Sequence, residues 1–277
     1  MSKLIRSIVN FFQTKNHQSF VEYVSKKSFH FQHYKSTIEY LAIGSSIADY
    51  SFNPRFFSLG KSFNLGLTSA DLHTNLSILK QDIDEMSELK NVILFHSIFS
   101  NGFSLSETSE NYRCIVYDHI LGVNYSHSKK PVNLELKDKI FQEITNLSDV
   151  SFEEKYFGYS RPSYYGVNVD TLDRVSKHVR ENKRCPSQLS LIKEINDLLN
   201  IRGIQLTIVM QDYRSDYLDL LPSKDELLRN LFELELPKVR YIDLLNSALF
   251  DDSDFGDCDH LNFKGARKLT KYLDKIL

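Results

Sequence analysis

Tryptophan is absent from the 277 residues, glycine supplies only 10 and proline only 6. That scarcity excludes collagen-like and Gly/Pro-rich low-complexity classes. Cysteine is equally sparse: Cys114, Cys185 and Cys258 are too far apart for a CxxC zinc or redox motif. Three is also an odd number for a disulfide framework, so reduced thiols are expected. No HExxH motif or clustered ligand spacing occurs, and no metal is implied. No apolar run approaches the ~18 residues needed to cross a bilayer. The start of the chain has Lys3 and Arg6, but its apolar stretch is broken by Asn10 and lacks a small-residue cleavage site. It reads unlike a secretory signal, and a cytoplasmic location is expected.

What is present is a hydrophobic fraction of 42% with a net charge of −2, enough apolar material for a substantial core under a nearly balanced surface. No nucleic-acid partner is expected from that balance. Residues 1–37 depart from it, carrying Lys3, Arg6, Lys15, Lys26, Lys27 and Lys35 against Glu22 alone. Two readings follow for this basic N-terminal segment. It is a helix packed on the domain, or, with Leu4, Ile5, Ile8 and Phe12 at helical spacing, it makes peripheral contact with a membrane surface.

From residue 38 onward the pattern alternates between short strands and helices. The run 38–43 reads as a first strand, followed by strands near 56–65, 91–96, 204–210 and 238–242, each a compact apolar or β-branched run, several set off by Gly or Pro. Leu72, Leu76, Leu79 and Ile83 mark an amphipathic helix, and Leu269, Tyr272, Leu273 and Ile276 mark the last one. Strands separated by helices predict an α/β three-layer architecture with a flavodoxin-like parallel sheet, order 2-1-3-4-5. About a hundred residues separate the third strand from the fourth, far more than a single crossover needs, so an insertion is expected at about 103–185. Ligands of such sheets sit outside the carboxyl ends of the strands, where Ser46, His96 and Asp243 fall.

Two short pieces carry the chemistry. Gly44–Ser45–Ser46 follows the first strand, and Asp257–Cys258–Asp259–His260 lies just before the final helix. Serine is a poor nucleophile unless a neutral imidazole takes its proton, and the imidazole in turn needs a carboxylate to fix its tautomer. His260 is the candidate base. Asp257, three positions earlier, is better placed than the adjacent Asp259, because neighbouring side chains diverge while a loop brings i and i+3 together. Either piece alone is weak, a turn or a surface pair. In this order, at the two ends of an α/β pattern, they resemble the first and last blocks of the SGNH (GDSL-like) hydrolase superfamily over roughly residues 38–277. The usual Asp before the serine is Ser45 here, at a position outside the triad.

The resemblance implies serine-dependent ester hydrolysis or acyl transfer through Ser46, His260 and Asp257, with an oxyanion hole supplied by a backbone amide and an asparagine. Gly66 or Ser69 in FNLGLTSAD is the amide candidate, and Asn101 in VILFHSIFSNG the asparagine. His96 either lines the site or is an ordinary buried imidazole. The aromatic stretch 152–166, with Tyr159, Arg161 and Tyr164 as expected substrate contacts, either covers a sugar or pins the insertion to the core. Together with the FSNGF text it is more similar to carbohydrate-associated esterases and O-acetyltransferases than to lipases, implying a glycan ester substrate. Hydrolysis needs no cofactor; a transferase would take acetyl-CoA as acyl donor. The rival readings are a non-catalytic carbohydrate-binding or scaffold protein, a nucleotide hydrolase and an α/β-hydrolase. A phosphate-binding loop ending in Gly60–Lys61–Ser62 fails because Arg55 occupies its first glycine position, and GxSxG is absent.

Overall fold

The computed structural model describes residues 20–125, 134–145, 157–160, 170–182, 188–221, 236–245 and 247–277. Its centre is a five-stranded sheet of β1 (Tyr40–Gly44), β2 (Ser62–Asn64), β3 (Asn91–Phe95), β4 (Gln205–Met210) and β5 (Val239–Asp243). Every pairing is parallel and the order is β2-β1-β3-β4-β5, as the pattern predicts. The second strand is shorter than expected. Pro54–Phe56 forms a 3₁₀ turn capped by Asn53, whose side chain accepts from the Arg55 amide, and the chain becomes extended in the sheet only at Ser62. Pairing starts late because the amides of Ser58 and Leu59, after the turn, donate to the Asp274 carboxylate of the last helix instead of a neighbouring strand.

Period-two alternation splits the core between the two faces of the sheet. Leu41, Ile43, Val92, Leu94, Leu206 and Ile208 point to one side, and Ala42, Ile93, Phe95, Val209 and Ile242 to the other. The first face is covered by a helix spanning residues 20–34 (α1), by α3 (Leu72–Asp82), α4 (Tyr112–Leu121), α5 (Leu134–Thr145) and α7 (Leu189–Asn200). The second is covered by α2 (Ser46–Ser51), α6 (Thr171–Asn182), α8 (Ser215–Leu220) and the last helix, α9 (Phe263–Ile276). The expected stripe of Leu72, Leu76, Leu79 and Ile83 is wholly buried, and Asp71 starts that helix by accepting from the Thr74 amide at 2.8 Å. Burying a leucine of this kind contributes about 1.5–3 kcal/mol.

Phe20, Val21, Val24 and Phe31 place α1 in the same core as the sheet. Lys27, one of the basic residues of the N-terminal segment, is buried and paired with Asp49 of α2. From residue 20 the segment is thus a packed helix; the expected membrane-facing residues Leu4, Ile5, Ile8 and Phe12 lie outside the described residues. Among the described residues no helix is long and apolar enough to cross a membrane. The insertion contributes α4, α5 and α6, so it builds parts of both outer layers.

Candidate active site

β1 ends at Gly44, whose φ of +142° and close approach to β3 exclude a side chain: a Cβ there would stand 2.7 Å from the Phe95 carbonyl oxygen. The chain then turns sharply. Ser45 caps α2 by accepting from the Ile47 amide, and Ser46 is the first helical residue, at the carboxyl edge of the sheet. The Ser46 amide has no acceptor among the described residues, as expected of a helix's first N–H groups.

His260 is delivered by a loop closed on itself. Phe255 bridges Leu261, the Gly256 amide donates to the His260 carbonyl at 2.8 Å, and the Asn262 amide donates to the Asp254 carbonyl at 2.9 Å. Asn262 then starts α9 by accepting from the amides of Lys264 and Gly265. Inside this loop Asp257 Oδ1 accepts the amides of Asp259 and His260 at 3.0 and 2.8 Å, which fixes its carboxylate beside the ring. His260 Nδ1 lies 2.8 Å from Asp257 Oδ2, and His260 Nε2 lies 2.7 Å from Ser46 Oγ. The hydrogen-bond network assigns the ring proton to Nδ1, leaving Nε2 as acceptor for the serine hydroxyl. Tyr50 packs edge-on against the His260 ring at 5.1 Å.

Asp259 is differently employed. Arg174 of α6 grips both its oxygens, at 3.1 and 3.0 Å, and the carboxylate stands 3.5 Å from His260 Nδ1. Burial works against ionising Asp259, but the charges of His260 and Arg174 outweigh it and hold its carboxyl well below the usual range. For His260 burial likewise opposes charge, yet the Asp259 charge and the Asp257 hydrogen bond prevail, and its pKa is raised above the ordinary 6.5. The amino end of α9, which disfavours imidazolium, is overcome by these two carboxylates.

Asp257, Asp259 and His260 also offer three ligand atoms within 4.8 Å of one another, a spacing that suits a cation. The donor set fits one poorly, because a guanidinium already occupies Asp259 and the Asp257 oxygens are taken by two amides and an imidazole.

Ser46, Asp257 and His260 open onto a cleft of about 270 Å³. One wall is aromatic, made of Phe99, Tyr50 and the stacked pair Tyr213 and Tyr217, whose rings are 5.2 Å apart and 16° from parallel. A further part of the lining was not anticipated from sequence: α6 presents Arg174, Lys177, His178 and Glu181, a polar stripe at i, i+3, i+4 and i+7, with His178 packed against Phe99. That spacing was legible in the text, since polar residues repeating on one helical face are as patterned as apolar ones. The cations of this stripe are matched. Arg174 holds Asp259, and Lys177 donates to Glu110 at 2.8 Å. Burial drops the His178 pKa to about 4, so this ring is neutral, and its Nδ1 meets the Tyr217 hydroxyl at 2.6 Å.

The remaining sequence candidates divide sharply. Ser69 lines the cleft, whereas Gly66 does not. The Gly66 amide is bound to Asn64 Oδ1 at 2.8 Å, and a Cβ on it would come within 2.3 Å of the Asp49 amide nitrogen, so this glycine serves the packing of α2. Asn101 and His96 are buried outside the cleft lining, and burial lowers the His96 pKa to about 4 against an opposing influence of Asn101. Asn101 is thus not among the residues brought to the cleft. Tyr159 is buried away from the cleft: its neighbour Phe157 accepts from the Asn64 amide at 2.9 Å, and Gly158 at φ +81° packs directly on the Asn64 carbonyl. That part of the aromatic stretch is a packed edge of the β2 region. Arg161 and Tyr164 lie outside the described residues. Neither protein-family models nor curated proteins yield a match to this chain.

Proposed function

We propose that this chain is a serine-dependent ester-handling enzyme of the SGNH hydrolase type, acting on an acyl ester of a carbohydrate. The observation that carries the reading is the relay from Asp257 through His260 to Ser46, closed at 2.8 and 2.7 Å at the carboxyl edge of a parallel sheet. Ser46 Oγ attacks the ester carbonyl while His260 Nε2 takes the hydroxyl proton. The tetrahedral oxyanion collapses, His260 returns the proton to the departing alkoxide, and an acyl-Ser46 ester remains. A second hydroxyl, from water or from a sugar, then repeats the sequence in reverse. Asp257 stabilises the imidazolium formed at each stage.

The cleft supports a polar, ring-shaped substrate rather than a fatty chain. Tyr50 and Phe103, half-buried at the cleft, offer apolar faces, and the α6 stripe offers donors and acceptors whose charges are already matched, which suits neutral hydroxyls. Hydrolysis requires no cofactor, and acyl transfer would draw on acetyl-CoA. The test is turnover of p-nitrophenyl acetate and labelling by a p-nitrophenyl phosphonate, both expected to vanish in Ser46→Ala. Labelling that persists in that variant places the reactive nucleophile elsewhere and sinks the reading, and a wild type with neither turnover nor labelling favours a non-catalytic binding protein. Acetate released without an acceptor identifies a hydrolase; acetyl-CoA consumed only with a glycan acceptor identifies a transferase.

A further inference from the structure

Residues 67–70 form a tight turn in which the Ala70 amide donates to the Leu67 carbonyl at 2.9 Å. Its third residue, Ser69, has φ +62°, the arrangement of a type II turn, a position that ordinarily takes glycine. Serine intrinsically prefers the type I alternative, which differs by a flip of the peptide joining Thr68 to Ser69. Something must hold the flipped state.

Three contacts do so, and all come from α4 and the turn before it. Tyr117, fully buried, donates its hydroxyl to the Thr68 carbonyl at 2.6 Å. Arg113, one helical turn earlier, donates to Ser69 Oγ at 2.7 Å, and Ser69 Oγ donates to Glu110 Oε2 at 2.6 Å. Glu110 is itself fixed by Arg113 at 3.2 Å and Lys177 at 2.8 Å. Burial disfavours its charge, but these two cations and the Ser69 hydroxyl bring its pKa down to about 2, so it remains an acceptor at working pH.

In a trans peptide the carbonyl and the following N–H point in opposite directions. Tyr117 draws the Thr68 carbonyl toward the core, so the Ser69 N–H points away from the core on the cleft side. No acceptor among the described residues meets it, and Ser69 lines the same cleft as Ser46 and His260. We propose that Tyr117, Arg113 and Glu110 are positioning residues that lock the Thr68–Ser69 peptide in its flipped state and so aim the Ser69 amide at the oxyanion formed on Ser46. The inference rests on the serine-enzyme reading above and adds to it a part of the inserted segment, α4, whose Tyr117 sets transition-state stabilisation from outside the cleft lining.

The experiment compares Tyr117→Phe, Glu110→Gln, Ser69→Ala and Ser69→Gly for p-nitrophenyl acetate turnover and for inhibition by phenylboronic acid, which forms a tetrahedral adduct on a reactive serine. Losing a single oxyanion donor lowers kcat by about 10²–10³-fold, and a misaimed one by roughly tenfold or more. Tyr117→Phe and Ser69→Ala are expected to lower kcat at least tenfold and raise the boronate inhibition constant in parallel, with KM within about twofold. Ser69→Gly should retain more activity than Ser69→Ala, because glycine adopts φ +62° unaided; a merely structural hydroxyl predicts the same loss in both. If Tyr117→Phe melts below the assay temperature, the two Ser69 variants decide alone. Wild-type kcat and boronate affinity in Ser69→Ala overturn the clamp while leaving the triad standing. Absence of any Ser46-dependent turnover in the wild type overturns both.

Discussion

Arg174 holds Asp259 by both carboxylate oxygens, and that grip leaves Asp257 as the acid in closest hydrogen bond with His260, at 2.8 Å against 3.5 Å for Asp259. Two acids three and one residues before a histidine are hard to rank from sequence. The ranking is set by an arginine some 85 positions away in α6.

Removing that arginine has a signed consequence. The Arg174 charge lowers the His260 pKa, while Asp259 raises it. In Arg174→Met the lowering influence is gone and the raising one remains, so imidazolium persists to higher pH. The acid limb of the kcat/KM profile is expected to move upward relative to wild type. A limb that stays in place, in a variant whose circular dichroism is unchanged, would falsify the electrostatic role assigned to Arg174.

In the wild type itself, activity and this residue's contribution to stability run in opposite directions. His260 has a folded pKa raised above 6.5. Its protonated form is therefore favoured by the folded state: the stabilisation is fully present below the unfolded value of about 6.5 and is lost as pH rises through the folded pKa. Catalysis needs the neutral ring, so kcat/KM should fall as pH drops through that same raised pKa. Parallel urea titrations of wild type and His260→Gln across pH 5–8 would isolate the stability arm. A wild-type advantage that grows with pH contradicts the sign.

Asp257→Asn separates geometry from electrostatics. Asparagine retains an oxygen for the amides of Asp259 and His260, which donate to Asp257 Oδ1 at 3.0 and 2.8 Å. The loop should stay folded with a melting temperature close to wild type. What is lost is the acceptor that keeps the His260 proton on Nδ1, and a drop in kcat on the order of 10⁴ is expected, the size of the equivalent change in the serine-protease triad. A loss confined to KM would place Asp257 in substrate binding instead.

Much of this architecture was legible because it depends on local pattern. Strand positions, parallel order and the stripe on α3 follow from apolar periodicity and crossover length, and GSS and DCDH mark the ends of the elements that deliver the triad. What sequence did not reveal depends on contacts between distant segments. Gly66 and Ser69 sit in the same loop, and the Asn64 side chain on one and the Tyr117, Arg113 and Glu110 contacts on the other separate a packing glycine from a cleft-lining serine. Tyr159 belongs to the most aromatic stretch of the chain, but that richness signals burial as readily as binding, and here it is buried. The polar face of α6 repeats at helical spacing, but in sequence such a stripe is as typical of a solvated face as of a cleft wall.

The last prediction concerns what holds α2, and hence Ser46, against the sheet. Asp49 lies on the buried side of that short helix with no exposed surface, and its carboxylate is met by Lys27 and by the Tyr23 hydroxyl at 2.7 Å. Both partners come from α1, so the first described helix is tied to the helix that carries Ser46 through one buried charge pair. Lys27→Met leaves an ionised carboxylate without its cation in an apolar setting, which costs about 3–5 kcal/mol where both groups are this deeply buried. Asp49→Leu in the same background removes the stranded charge, so the double variant should be more stable than Lys27→Met alone, a reversal that additive behaviour cannot produce. Urea midpoints of the wild type, the two single variants and the double variant complete the cycle. If the double variant is the least stable of the four, the pair contributes through packing of the lysine stem rather than through charge. Because Lys27 is not among the residues that line the cleft, the folded fraction of Lys27→Met should turn over p-nitrophenyl acetate with a near-normal KM.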